Sequence, residues 1–539
     1  MVSGGARRLD WHVLLPVHRQ TAPDRWLLLG AGPDLPRVAV ELGLAGSATA
    51  VAEPGQPDDV VALLHSADRS LGDAVRSLAP DGCLYWEVDR RSLRSLATTP
   101  GRARRRLRAA GLAQARVYLV GHGWARPNRF VPADPGVPLD WQLASAAPFR
   151  GRIGARVWRI VRRSGLASWL AALVAPRFAV IATSKAGAAT TPTVLRHPDL
   201  PAAIRSSVIS PILVTGGQED WARLSLLAFA DDGSEPSLIV KVSRLGAYDE
   251  ATRREHEVIA RLRADLDDAT GASLPEAIAL LESDVRPTSV QGFLPGSPAQ
   301  ARMKLGPRNG TTSWRDFELT AAWLTSLARQ TERSRVHPGS PGWAAHVEHV
   351  LSRFGDAFGR PPEVDRLFRD LHDHTTAVGA DIPIVQCHGD VGPWNVLVDG
   401  DQIGVIDWEV AGDGPALTDL LYASIHWTFE VRGLATEGDR RRELRRLLSG
   451  GGDPDAATSS IGAAVRRYVE ALRIDHRLVA PLVVLTMVRQ ALDRFDRLAR
   501  VNRADPQPWV DNRYAGYVAE LATLGESWIA GVPLFGGAA

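Results

Sequence analysis

VQCHGDVGPWNVLVDGDQIGVIDWE, residues 385–409, sets a His-Gly-Asp triplet, an Asn five positions after the Asp, and a second Asp about a dozen further on, with apolar runs between them. Neither a helical stripe nor a packed core needs polar residues at those places. VLVDGDQIGVIDWE reads as a β-hairpin turning at Asp399-Gly400-Asp401, which returns Asp407 beside the HGDVGPWN loop. Asp390, Asn395 and Asp407 then bring three oxygen-bearing side chains together from one local unit.

Oxygen ligands of this kind suit a hard cation such as Mg²⁺, which takes a few from the protein and the rest from phosphate and water. Phosphoryl transfer from ATP asks the protein for little else beyond a residue that orients the acceptor hydroxyl. The stretch resembles the aminoglycoside phosphotransferase and choline kinase-like family, relatives of the protein kinases, whose catalytic loop runs H-G-D-x-x-x-x-N before an I-D-W/F-E segment. The resemblance implies that Asp390 is the catalytic Asp, that Asn395 and Asp407 bind Mg²⁺, that His388 braces the loop, and that Asp419 in GDGPALTDLLY supports the active-site loops.

Working upstream, ISPILVTGG, ARLSLLAFA and PSLIVKVSR are closely spaced strand candidates joined by turns, as in an antiparallel sheet. A charged amphipathic helix, DEATRREHEVIARLRADL, follows them. After SVQGFLPG the chain turns mostly helical. SWRDFELTAAWLTSLARQ opens on a capping-box-like Ser313-x-x-Asp316, and APLVVLTMVRQALDRFDRLAR reads as a mostly buried helix. The family resemblance, over about residues 207–530, implies that Gly216 and Gly217 admit ATP phosphates to the backbone. It also implies that Lys241 binds the phosphates, with Glu255 as its partner in preference to Glu257. The backbone from Gln291 through Phe293 to Leu294, where the family links its lobes, would hold adenine. Only three of the 63 basic residues are lysines, Lys241 among them, and Arg and Lys are not interchangeable at specialised sites. Protein kinases usually carry Lys or Arg two residues after the catalytic Asp; Gly392 stands there, which argues against a protein substrate.

The first region alternates strand-like and helix-like stretches: RWLLLGAG, PRVAVELGL, SATAVAEP, DDVVALLHS, SLGDAVRSLAP, GCLYWEV, RARRRLRAAGL and ARVYLVGHG. Such alternation implies an open, mostly parallel sheet. LLLGAGPD, followed by Glu53, resembles the start of S-adenosylmethionine-dependent methyltransferases, as do LAPDGCLYWEV and RRRLRAAGLAQARVY. Only about five residues separate Glu53 from the strand at Asp59, too few for the usual helix and third strand. A shortened domain without activity, binding no S-adenosylmethionine, is expected.

The expected architecture is an α/β N-terminal Rossmann-like domain (1–190), a linker (191–206) and an α+β two-lobed protein-kinase-like domain (207–298 and 299–539). The leading function is an ATP- and Mg²⁺-dependent phosphotransferase acting on a small-molecule hydroxyl. Alternatives are a bifunctional methyltransferase–kinase and a non-catalytic kinase-fold scaffold. Residues 1–190 carry a net charge of about +12 and the remainder about −10. The acidic part, including Asp399, Asp401, Glu409 and Asp413, would suit a cationic acceptor such as an amino sugar, aminoglycoside or aminoalcohol. Solvated arginine faces explain the basic part, and no nucleic-acid partner is predicted. Two cysteines far apart in the chain, no signal-peptide pattern and no membrane-length apolar run predict a cytoplasmic protein. LASWLAALVAPRFAVIATS is expected to be a buried helix followed by a strand.

Overall fold

The computed structural model describes residues 5–529 apart from 17–23, 54, 65–70, 92–97, 113, 125, 135, 146–174, 184–191, 208–210, 217–221, 231–232, 284, 306–310, 449–454, 502–508 and 510–511. The chain divides into two compact units, Met1–Arg253 with Ala277–Phe293, and Arg254–Glu276 with Leu294–Ala539. These divisions do not fall at the expected 190, 206 and 298.

One sheet of twelve strands runs through the first unit: β1 (Arg25–Leu29), β2 (Ser47–Thr49), β3 (Asp58–Leu63), β4 (Leu78–Asp89), β5 (Gln114–Gly123), β6 (Arg126–Pro132), β7 (Arg177–Thr183), β8 (Ile212–Val214), β9 (Leu224–Phe229), β10 (Pro236–Val242), β11 (Ala277–Leu281) and β12 (Thr288–Gly292). Their order is β11-β12-β10-β9-β8-β6-β5-β7-β4-β3-β1-β2. β2, β1, β3 and β4 run parallel, and β7 enters antiparallel between β4 and β5. Parallel strands covered on both faces read as continuous apolar runs, as in RWLLL and VVAL. Leu27, Val61, Leu84, Trp86, Phe178 and Val180 form their core with Ala103 and Leu107 of the helix Pro100–Ala109. That helix starts where its composition says it should: Thr99 Oγ1 accepts from the Arg102 N–H and Pro100 opens the first turn.

The sheet does not stop at the expected linker. β6 pairs with β8 through Arg129↔Val214 and Phe130↔Leu213, and β8, β9, β10 and β12 continue antiparallel. A second tie is a fully buried ion pair: Arg244, just past β10, gives two hydrogen bonds to Asp10 at 2.8 and 3.0 Å. Within the expected linker, Thr193–Arg196 is a 3₁₀ turn and Ala202–Ser207 a short helix.

The second unit is mainly helical. Helices Thr311–Gln330, Pro362–Val378, Thr418–Val431, Ala456–Ala471, Val479–Arg500 and Arg513–Ala522 surround two small sheets. One joins β13 (Ser297–Pro298), β16 (Val396–Asp399) and β17 (Gln402–Val405); the other joins β14 (Ser334–Val336), β15 (Ile382–Cys387) and β18 (Gly412–Pro415). The expected capping box is not formed. Ser313 lies inside the helix Thr311–Gln330, and the Asp316 carboxylate is taken by Arg302 at 2.9 Å. Among the described residues no helix is long and apolar enough to cross a membrane. The expected helix before Pro176 lies outside the described residues, and the strand after it is β7.

Candidate active site

The site is assembled first from the backbone. β15, with every residue buried, runs between β14 and β18 and ends at the His-Gly-Asp triplet. Gly389 has φ +85°, and a Cβ there would lie 3.1 Å from the Val410 carbonyl oxygen, so the turn calls for glycine. Asp419, in the first turn of Thr418–Val431, accepts the N–H groups of His388 (2.6 Å) and Gly389 (2.9 Å). His388 is buried and acts as a two-ended brace. Its Nδ1 accepts from the Asp390 N–H at 3.1 Å and its Nε2 donates to the Ile406 carbonyl at 2.9 Å. Its ring packs 4.6 Å from that of Trp408.

The hairpin expected from the sequence is β16–β17, with Asp399 opposite Gln402. It returns the chain to the loop: the Ile406 N–H donates to the Asn395 carbonyl at 3.0 Å. Asp407 follows with φ +68°, in the left-handed region that a non-glycine residue seldom occupies and that concentrates at functional sites. The Asn395 amide donates to the Asp390 carbonyl at 2.8 Å and to Asp390 Oδ2 at 3.3 Å. With its NH₂ so engaged, the Asn395 amide oxygen is left as an acceptor. Asp390 Oδ1 accepts from the Tyr422 hydroxyl at 2.7 Å. Burial pushes the Asp390 carboxyl above its ordinary range; nearby Arg497 and the Tyr422 hydrogen bond pull it partly back. Asn395 and Asp407 carry oxygen donors of the kind a hard Mg²⁺ ion takes; among the described residues no three His, Cys, Asp or Glu side chains stand together as a metal site.

In the same unit Glu255, on the helix Asp249–Asp265, is fully buried and its Oε1 accepts from the Trp408 N–H at 3.3 Å. Glu257 is exposed. Leu294 packs over Gly404 of β17, its Cδ1 3.0 Å from where a Cβ would stand.

In the first unit Lys241 lies in β10 between Ser225 of β9 and Ser289 of β12, and is buried, so it is not a solvated strand lysine. Gly216, just after β8, has φ +72°, and a Cβ there would meet the Arg223 carbonyl oxygen at 2.7 Å. Gly217 lies outside the described residues. Gln291 is buried in β12 with its amide donating to Ser289 Oγ, and the Phe293 N–H donates to the Ser237 carbonyl at 3.1 Å. The chain passes from the first unit to the second between Phe293 and Leu294, inside the stretch expected to link the lobes.

Several residues around Asp390 were not anticipated. Tyr422 is one. The others come from Val479–Arg500: Gln490 donates to the Gly389 carbonyl, and Arg497 pairs with Glu409 at 3.0 Å and Asp493 at 2.9 Å. Gln490, Asp493 and Arg497 stand at i, i+3 and i+7, on one face of the polar second half of a helix whose first half is apolar. The acidic residues expected to attract a cationic acceptor are differently employed. Glu409 meets Arg497, Asp413 meets Arg333 at 2.9 Å, and Asp401 meets Arg315. The charge of these three is balanced by arginine, so it is not an argument for a cationic acceptor; the fourth, Asp399, is exposed at the hairpin turn.

Comparison with known proteins places this site in context. Residues 223–457 match the model of the phosphotransferase enzyme family, so the resemblance seen in the sequence holds over that region. None of the curated proteins matches the chain. Similar solved structures include a choline/ethanolamine kinase family protein from Mesorhizobium loti, at 16% identity over 62% of this chain and 92% of that one, TM-score 0.36. A microcompartment-associated aminopropanol kinase is 17% identical over 61% of this chain and 94% of its own, TM-score 0.37. A spectinomycin phosphotransferase, solved with ADP and spectinomycin, is 15% identical over 60% and 94%, TM-score 0.33.

Proposed function

Proceeding from the match of residues 223–457 to the phosphotransferase enzyme family, we propose that the protein transfers the γ-phosphoryl group of ATP to a hydroxyl of a small molecule. The observation that carries the reading is the Asp390 carboxylate. It is held at Oδ1 by Tyr422 and at Oδ2 by Asn395, on a loop whose two preceding N–H groups are clamped by Asp419. Such a carboxylate accepts the hydrogen bond of an incoming hydroxyl, aims its oxygen at the γ-phosphorus and receives its proton as the new P–O bond forms and the bond from that phosphorus to the β,γ-bridging oxygen breaks, releasing ADP. Asn395 and Asp407 are the residues that would hold Mg²⁺, which supplies charge neutralisation to the phosphates when bound. Lys241, with Glu255 as its partner, would engage the α- and β-phosphates, Gly216 and Gly217 would admit phosphate oxygens to the backbone, and the Gln291–Leu294 backbone would hold adenine. Amino sugars, aminoglycosides and aminoalcohols are the acceptor classes to try first. The test is nucleotide binding by calorimetry: ATP affinity should require Mg²⁺ and fall in Asn395→Ala. Binding indifferent to both would overturn the assignment.

We further infer that the N-terminal α/β region does not use S-adenosylmethionine. Glu53, the acidic residue in the place that would take ribose hydroxyls, is engaged by Arg25 at 3.1 Å, and Arg25 also reaches Asp58 at 3.5 Å. Calorimetry of the full chain with S-adenosylmethionine should show no heat of binding; micromolar binding would restore the bifunctional alternative.

A further inference from the structure

Gly392 occupies the position at which protein kinases place a basic residue near the catalytic Asp, and here that position is closed. A Cβ on Gly392 would overlap the Trp394 indole. The hydrogen bond to Asp390 comes instead from a residue thirty-two positions away, Tyr422 on the helix Thr418–Val431.

Tyr422 does not act alone. Its hydroxyl oxygen lies 3.1 Å from that of Tyr514, and the Tyr514 hydroxyl accepts from Arg513 Nη2 at 3.0 Å. The directions of these bonds follow from the acceptor at the end. An ionised carboxylate only accepts, so Tyr422 spends its proton on Asp390 and its oxygen is free to accept from Tyr514. Tyr514 then spends its proton on Tyr422, and its oxygen accepts from the guanidinium, which only donates. His426 Nε2, 3.4 Å from the Tyr514 oxygen, joins the same node. The chain Arg513→Tyr514→Tyr422→Asp390 is therefore a one-way line of donors running from a cation to a carboxylate, an order in which each bond polarises the next.

The line is also rigid. Both tyrosines are nearly fully buried. The Tyr422 ring lies 4.4 Å from His426 and 6.4 Å from Trp394, and Trp394 stands edge-on 5.2 Å from His426. The Arg513 guanidinium sits 4.9 Å over the Tyr514 ring. Asn512 fixes where the helix Arg513–Ala522 begins: its Oδ1 accepts from the Tyr514 and Ala515 N–H groups while its Nδ2 donates to the Ala491 carbonyl of the long helix Val479–Arg500.

We propose that Tyr422 is a positioning residue for phosphoryl transfer, holding the Asp390 carboxylate in one rotamer and taking over the role of a basic residue that Gly392 cannot supply, with Tyr514 and Arg513 as its second and third links. This rests on the kinase reading above. Tyr422 touches Asp390, and the nucleotide is bound by other residues, so its loss falls on the transfer step and leaves nucleotide affinity alone.

Steady-state kinetics of the full-length protein test it, with ATP, Mg²⁺ and a panel of amino sugars, aminoglycosides, aminoalcohols, sugars and nucleosides as acceptors, or water where none turns over. Tyr422→Phe should lower kcat roughly ten- to a hundred-fold, the worth of one hydrogen bond to a charged group, and leave KM for ATP within about twofold. Tyr514→Phe, one link further out, should lower kcat by a smaller factor, roughly threefold, with the same unchanged KM. It also serves as the test if the Tyr422 variant does not fold. Wild-type kcat in both variants, or a kcat that falls together with ATP affinity and Tm, would overturn the proposal. In either case Asp390-dependent turnover by the wild type would leave the kinase reading standing. A wild type whose turnover does not depend on Asp390 would overturn that reading, and this proposal with it.

Discussion

The N–H of His388 donates to Asp419 Oδ2 at 2.6 Å across thirty-one positions of sequence, and the next N–H, that of Gly389, donates to the other carboxylate oxygen. One side chain at the start of a helix thereby fixes the backbone from which Asp390 projects. Asp419→Ala should leave two N–H groups without an acceptor and lower stability by roughly 2–5 kcal/mol, read by urea denaturation. Asp419→Asn, which replaces one acceptor by a donor facing an N–H, should fall between the wild type and Ala.

Asp407 offers a second test. Its left-handed backbone, φ +68°, is strained for a residue with a Cβ and natural for glycine. Asp407→Gly should therefore keep the turn while removing the Mg²⁺ dependence of nucleotide affinity in calorimetry. Affinity that still requires Mg²⁺ would mean that Asp407 holds no metal.

Lys241 is buried in a strand between two serines. Lys241→Met keeps most of the length and volume, so the circular dichroism should change little, while the loss of a buried charge should lower Tm. KM for ATP should rise, by roughly tenfold or more if one charge-assisted contact to phosphate is lost. Lys241→Arg should not restore it, because a planar fork does not replace a compact ammonium.

The pH dependence follows from Asp390. Burial is the main influence on its carboxyl and raises its pKa above the unfolded value. Between those two values the folded state therefore binds more protons than the unfolded one. This contribution to stability falls as pH rises through that window, and at neutral pH the ionised Asp390 is a net cost to the fold. Asp390→Asn removes this titration, so the pH dependence of Tm across that window should flatten, and transfer should be abolished. The acid limb of kcat should lie above the ordinary carboxylate range.

The parts of this site that the sequence discloses are those built by neighbours in the chain. The loop from His388 to Asn395, the β16–β17 hairpin and the return to Asp407 all lie within twenty-five residues, and turn chemistry alone aligns them. The place of Lys241 was readable too, as a polar residue inside a short apolar strand. Tyr422, Tyr514 and Arg497 were not, because they lie in three separate helices, Thr418–Val431, Arg513–Ala522 and Val479–Arg500, and nothing in those sequences singles out one side chain. Which side chain of a buried helix meets a carboxylate far away in sequence is decided by packing. A trace existed in the i, i+3, i+7 spacing of Gln490, Asp493 and Arg497. The run of the sheet across the expected linker was hidden for a similar reason: β6 and β8 are far apart in the chain, and only their pairing through Phe130 and Leu213 makes them neighbours. The acidic residues Asp401, Glu409 and Asp413 misled because their arginine partners are distant in the chain.

Asp390 is proposed to direct the γ-phosphoryl group of ATP onto a small-molecule hydroxyl, and ³¹P NMR of the full-length protein with ATP, Mg²⁺ and each acceptor of the panel follows that transfer itself. A new phosphate-monoester resonance should grow together with ADP in the wild type and be absent with Asp390→Ala. A monoester that forms equally well in Asp390→Ala would remove Asp390 from the reaction.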